Sequence, residues 1–134
     1  MTVEDVRVAL ADACASISGW RASPYIRDTV APPEIQVARG VTNFDIVMGR
    51  GADDFQYRLI AYVQRDSERS GQILLDELCE PSGPGSLKEV LETVEVATAA
   101  GADYIRVREA SEVRSVEVGL VAYMLVEFTV EVCY

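Results

Sequence analysis

Apolar residues recur along this chain at two spacings, and the switches between them mark its elements. Val6, Leu10, Ala13 and Ile17 stand four, three and four residues apart, which places them on one face of a helix. Thr2 can cap that helix, Glu4 and Asp5 oppose the positive end of its first turn, and Gly19 reads as its stop. Residues 20–25 are a short extended candidate, and Pro24 within them points to an edge strand or a strand end. After Pro32-Pro33 the chain restarts extended, and residues 34–39 alternate polar and apolar until Arg39, as a half-buried strand does. Residues 40–53 break the alternation with Gly40, Gly49 and Gly51 and read as a long loop or hairpin projection, a length usually tied to function or mobility.

Residues 54–64 are a clear strand. Phe55, Tyr57, Leu59, Ala61 and Val63 share one face, while the other carries Asp54, Gln56, Arg58 and Gln64 but also Ile60 and Tyr62. Residues 67–80 read as a second helix with Leu74, Leu75 and Leu78 as its buried stripe, ended by Pro81-Ser82-Gly83-Pro84-Gly85. Ser86-Leu87-Lys88-Glu89 then has the form of a capping box, in which serine and glutamate each satisfy the other's backbone amide. A third helix follows through Leu87, Val90, Leu91 and Val94, kept short by Thr93, Val94, Val96 and Thr98, which are poor helix formers. Two strands close the chain, residues 104–108 and 118–132. In the second, Val118, Leu120, Ala122, Met124, Val126, Phe128, Val130 and Val132 are apolar without a break at period two.

These elements predict one α+β domain over residues 1–134: a mixed or antiparallel sheet of about four to five strands, with two to three helices packed on one face. A domain of this length is about 35–40 Å across. A straight strand over residues 118–132 would run about 50 Å, so it is expected to bend strongly or to project. Helices on one face leave the other presenting Ile60, Tyr62, Val121, Tyr123 and Leu125. If these cluster, they form an apolar patch of a kind that soluble monomers rarely expose. Both points favour self-association.

Charge and composition narrow the function. The chain has 22 acidic and 12 basic residues, a net charge of −10, and no histidine. Its longest apolar runs are interrupted by charge, so no membrane span is expected, and the acidic start argues against a signal peptide. Nucleic-acid binding would need a basic stripe; the densest basic cluster, Arg106, Arg108 and Arg114, is interrupted by acids and reads as a solvated strand face. Without histidine there is no Ser-His or Cys-His nucleophile pair, and the one lysine, Lys88, sits at a helix start. Asp45, Asp53 and Asp54 could ligate a hard cation through oxygen, but neighbouring residues at a strand start point to opposite faces. Gly83-Pro84-Gly85-Ser86-Leu87-Lys88 lacks phosphate-loop spacing, and Gly49-Arg50-Gly51 is too short for a dinucleotide fingerprint, so turn chemistry accounts for both. Cys14, Cys79 and Cys133 have no CxxC spacing and read as reduced thiols. No enzyme activity, metal or cofactor is expected.

The order of these features resembles the tail terminator (tail completion) proteins of siphophages, particularly those of actinobacterial hosts. An amphipathic helix leads to a proline-containing segment ending near Pro32-Pro33. Met48-Gly49-Arg50-Gly51-Ala52-Asp53-Asp54-Phe55 passes directly into a strand. Ser67-Glu68-Arg69 opens a helix, Pro81-Ser82-Gly83 and Ser86-Leu87-Lys88 form a turn and helix start, and the end reads Tyr123, then Val126-Glu127-Phe128-Thr129-Val130-Glu131-Val132. The resemblance spans nearly the whole chain, and order and spacing carry it rather than any single motif.

That resemblance implies a structural virion protein made in the host cytoplasm. Its expected form is a hexameric ring on the head-proximal end of the tail tube, ending tube polymerisation and docking the head-tail connector. Its partners would be other copies of itself, the tail tube protein and the connector or stopper protein, with genomic DNA passing through the lumen unbound. Met48, Arg50, Asp53, Asp54, Tyr62 and Tyr123 are the candidate subunit or tube contacts, Arg50 by offering a bidentate fork to a neighbour's carboxylate. The alternatives are another connector or tube subunit of similar fold, or a small cytosolic enzyme or ligand-binding domain built on a pocket flanked by Asp45 and Asp53.

Overall fold

The computed structural model describes residues 3–17, 19–26, 33–43, 54–64, 68–83, 85–118 and 120–133. Among them are four helices and six strands. In chain order they are α1 (Val3–Ala15), β1 (Arg21–Ser23), β2 (Glu34–Asn43), β3 (Asp54–Gln64), α2 (Glu68–Leu78), α3 (Leu87–Leu91), α4 (Val94–Ala100), β4 (Tyr104–Ala110), β5 (Arg114–Val118) and β6 (Val121–Cys133). The strands form one sheet in the order β1-β2-β3-β6-β4, with β5 also paired to β6. Only β1 and β2 run parallel; the other pairs are antiparallel. The fold is α+β with a mixed sheet, as expected.

Strand alternation decides which face is covered. Phe55, Tyr57, Leu59, Ala61 and Val63 of β3 lie opposite Val132, Val130, Phe128, Val126 and Met124 of β6. These ten side chains share one core with Val6, Leu10 and Cys14 of α1, Leu75 and Leu78 of α2, Leu87 and Leu91 of α3, and Ala97 and Ala100 of α4. Burying a leucine such as Leu10 or Leu91 stabilises the fold by about 2 kcal/mol. The buried apolar residues of the opposite strand face, Ala38, Ile60, Tyr123, Leu125 and Cys133, stand outside that core. The helices therefore occupy one face.

Several elements differ from expectation, each for a local reason. β2 continues through Asn43, so residues 40–43 are strand rather than loop. They pair with β3 across a bulge between Arg39 and Thr42. Gly40 sits there, where a Cβ would stand 3.0 Å from the Gln56 carbonyl oxygen, so a larger residue would press the neighbouring backbone away by a few tenths of an ångström. The third helix is two helices: Glu92 ends the first and Thr93 caps the second, its hydroxyl accepting the Val96 amide at 3.4 Å. The C-terminal apolar run is a hairpin, since Val118 pairs with Val121 and leaves two residues for the turn. Among the described residues the sheet thus has six strands, and the helices number four. The capping box is half of one. Ser86 accepts the Glu89 amide at 3.2 Å, but the Glu89 carboxylate takes the Gly83 amide instead. The Thr2 cap and the loop at 44–53 lie outside the described residues.

β6 resolves its length by having two short neighbours end to end. On one side β3 pairs with it from Tyr123 to Cys133. On the other, β5 takes residues 121–125 and β4 residues 128–133. The hairpin therefore runs past the last residue of β3, which lies opposite Tyr123.

Candidate functional site

Outside the β2 edge, chemistry-bearing side chains do not converge in the described residues. No group of three or more Cys, Asp or Glu there is placed to hold a metal ion. Cys14 is fully buried and its thiol is pushed up to about 12 by desolvation. Cys79 is exposed, yet partial burial and the carboxylates of Asp76 and Glu80 raise its pKa, so it is a sluggish nucleophile. A depression between α4 and β4 measures about 150 Å³, and one between α3 and β4 about 170 Å³. Both fall below the roughly 300 Å³ at which ligand sites begin. Among the described residues no helix is long and apolar enough to cross a membrane.

The face of the sheet away from the helices is a charge lattice around an aromatic pair. Glu127 on β6 sits between Arg114 of β5, at 2.9 Å, and Arg58 of β3, at 3.8 Å. Further along β6, Glu131 accepts from Arg108 Nε at 2.6 Å and from the Tyr104 hydroxyl at 3.1 Å, and Arg106 stacks 5.1 Å above the Tyr104 ring. The Arg108 guanidinium holds the Glu131 carboxyl below its usual range. The arginine cluster noted in the sequence is thus a cross-strand ladder with its acids. Tyr62 and Tyr123 meet edge to face with centroids 6.2 Å apart. Burial, then Glu127 and Glu34, raise the Tyr62 hydroxyl pKa.

That aromatic cluster corrects the expectation of a broad exposed patch. Ile60, Tyr123 and Leu125 are each less than 9% exposed, and Tyr62 is half-buried. Of the five residues named, only Val121 is substantially open, at 47%. Among the described residues the most exposed large apolar side chain is Leu120 at the hairpin end, beside Val121; Val94 of α4 and Ile26 after β1 are exposed singly elsewhere.

A third feature lies at the β2 edge. Strand β1 ends at Ser23, opposite Gln36, and Pro24 follows. Beyond that point the Arg7 guanidinium of α1 reaches the β2 backbone, donating from Nη1 to the carbonyls of Val37 (3.2 Å) and Pro24 (3.1 Å). The same guanidinium lies 5.3 Å from the Tyr25 ring centroid, and the Tyr25 hydroxyl donates to Glu4 at 3.0 Å. Past this strut opens a notch of about 440 Å³ lined by Arg7, Tyr25, Ile26, Ala38, Arg39 and Arg58.

Of the residues proposed from the sequence, Met48, Arg50 and Asp53 lie outside the described residues, as does Asp45. The Asp54 backbone is in β3, opposite Asn43 and Cys133. Tyr62 and Tyr123 are brought together, but Tyr123 is 6% exposed and packs within the face rather than offering surface. Leu120 and the arginine notch were missed. Gly119 inside an otherwise apolar run was the available sign of a turn. No sequence spacing links Arg7, Arg39 and Arg58. No protein-family model matches the chain, and a search of curated proteins found no match.

Proposed function

We propose that this chain is a structural virion subunit of the tail terminator type. Six copies form a ring that caps the head-proximal end of a phage tail tube, ends its polymerisation and docks the head-tail connector. The observation that carries this reading is the β5–β6 hairpin. It extends past β3 and ends in a fully exposed leucine beside a half-exposed valine. An apolar tip on a projecting arm costs solubility in a monomer and has a use when a neighbour receives it. The lack of converging catalytic groups among the described residues and the resemblance in element order support the same reading.

The acidity fits a channel protein. At −10 per chain, six copies carry on the order of sixty negative charges. Acids facing the lumen would let DNA slide without sticking. Negative-stain imaging of the purified protein, alone and with tail tube protein, tests the proposal. Closed six-fold rings and capped tube ends are expected, whereas open tubes or unaltered tube growth would refute it.

A further inference from the structure

On the described strands, the arginines with a weak or no carboxylate partner gather toward the β2 side of the sheet, and the acids with none lie along β4 and β5. Other described arginines on the open face are engaged: Arg114 by Glu127, Arg108 by Glu131 and Arg106 by the Tyr104 ring. At the β2 edge the balance is positive. Arg39 is exposed and has no carboxylate partner among the described residues. Arg58 is half-exposed, and its only described acid is Glu127, which already binds Arg114 more closely. Arg7 adds a third charge to the same notch, and Glu4 lies beside it, hydrogen-bonded to Tyr25. Arg21 is exposed on β1 at this edge as well.

The far edge is acidic. Strands β4 and β5 both lie on the outer side of β6, about 14 Å of sheet away from β2 at the usual strand spacing. They and their connection carry Glu109, Glu112 and Glu117, all exposed and all without a basic partner among the described residues. A chain of net charge −10 repels its own copies on average, so association needs local complementarity. Two unlike surfaces on opposite edges make a heterologous, head-to-tail contact, which closes into a ring when the rotation between copies allows it.

We propose that the Arg7–Arg39–Arg58 notch receives the Glu109–Glu112–Glu117 edge of a second copy of this chain. The inference rests on the ring-subunit reading in taking the partner to be another copy, and it names the surfaces that meet. The contact is polar and lies near the rim of the interface, so it sets register and encounter rate and weakens with salt. The hairpin tip supplies the apolar part.

The test is a charge swap read by sedimentation velocity at low and high salt. The variants are Arg39→Glu, which cancels the positive balance of the notch, and Glu112→Arg with Glu117→Arg, which makes both edges basic. Circular dichroism and thermal unfolding check that each is folded; all three positions are exposed. Each variant alone is expected to associate at least about tenfold more weakly than the wild type. An equimolar mixture of the two should recover assembly, because each notch then meets an opposite edge. Variants that assemble like the wild type, or a mixture that stays monomeric, would overturn the contact while leaving rings on tube ends intact. If inorganic phosphate, but not chloride at equal ionic strength, binds through Arg39 and the glutamate reversals have no effect, the notch holds a small oxyanion and the proposal fails. A wild type that never self-associates also removes this contact, and tube-end imaging then judges the ring reading separately.

Discussion

Replacing Leu120 with serine separates assembly from folding. The side chain is fully exposed in the isolated subunit and touches no part of the core. Removing it therefore costs the folded monomer no more than about 0.5 kcal/mol, the usual range for surface substitutions. If a neighbour buries the leucine, the change removes about 2 kcal/mol of apolar transfer energy from each contact. That is roughly a thirtyfold loss in affinity per interface. A closed ring of six contains six interfaces, so the loss is about 12 kcal/mol for the whole ring and assembly becomes strongly concentration-dependent. Thermal unfolding of dilute protein should superimpose on the wild type. Sedimentation and negative-stain imaging across a concentration series should show rings, or capped tube ends, only at much higher protein concentration. Leu120→Met, which keeps the apolar volume, should behave as wild type. Rings that form at the same concentration with serine would show that the tip is solvated in the assembly, and the observation on which the functional proposal rests would be gone.

Three further outcomes follow from the same structure. Ser86→Ala removes the α3 cap and the hydroxyl that donates to the Glu80 carbonyl, and should cost about 2–3 kcal/mol in chemical denaturation, against less than about 0.5 kcal/mol for Lys88→Ala, which loses only its exposed pair with Glu92; equal effects would contradict the capping role. An alkylating reagent should modify Cys79 slowly and leave Cys14 and Cys133 untouched until the protein unfolds, as peptide mapping would show; early labelling of Cys14 would mean its helix does not pack as described. Because Arg108 holds the Glu131 pKa below its ordinary value, the stability it contributes is present above the unfolded-state value and is lost as pH falls through the folded-state one, so Glu131→Gln should be less stable than wild type at neutral pH and converge with it in acid; a gap that persists in acid would assign the effect to packing.

Periodicity alone was enough for the elements whose neighbours agree with them. The alternation in β3 and the even-numbered run in β6 specify a shared buried face, because strand side chains alternate whatever they pair with. The steps of three and four in α1 likewise name Val6, Leu10 and Ala13 on its buried face before any partner is known. The charge balance and the absence of histidine, which restrict the chemistry open to this chain, are composition and need no fold.

What the fold alone decided are matters of which strand lies beside which. A period-two run cannot say whether Val118 and Leu120 continue a strand or turn it, since a two-residue turn inserts without leaving the apolar pattern. The pairing of Val118 with Val121 moved Leu120 from an expected core position to an exposed tip. Thr93 reads as a weak helix former until two helices meet at it, and then its hydroxyl is a cap. Ile60, Tyr123 and Leu125 look like an exposed stripe in sequence, yet they lie on adjacent strands, where the Tyr62–Tyr123 pair and the arginine–glutamate ladder close around them. Arg7, Arg39 and Arg58 come from a helix and two strands, and only the early end of β1 brings them to one notch. Local sequence determines the direction in which a side chain points; what it meets there depends on contacts between residues far apart in the chain, which no local period encodes.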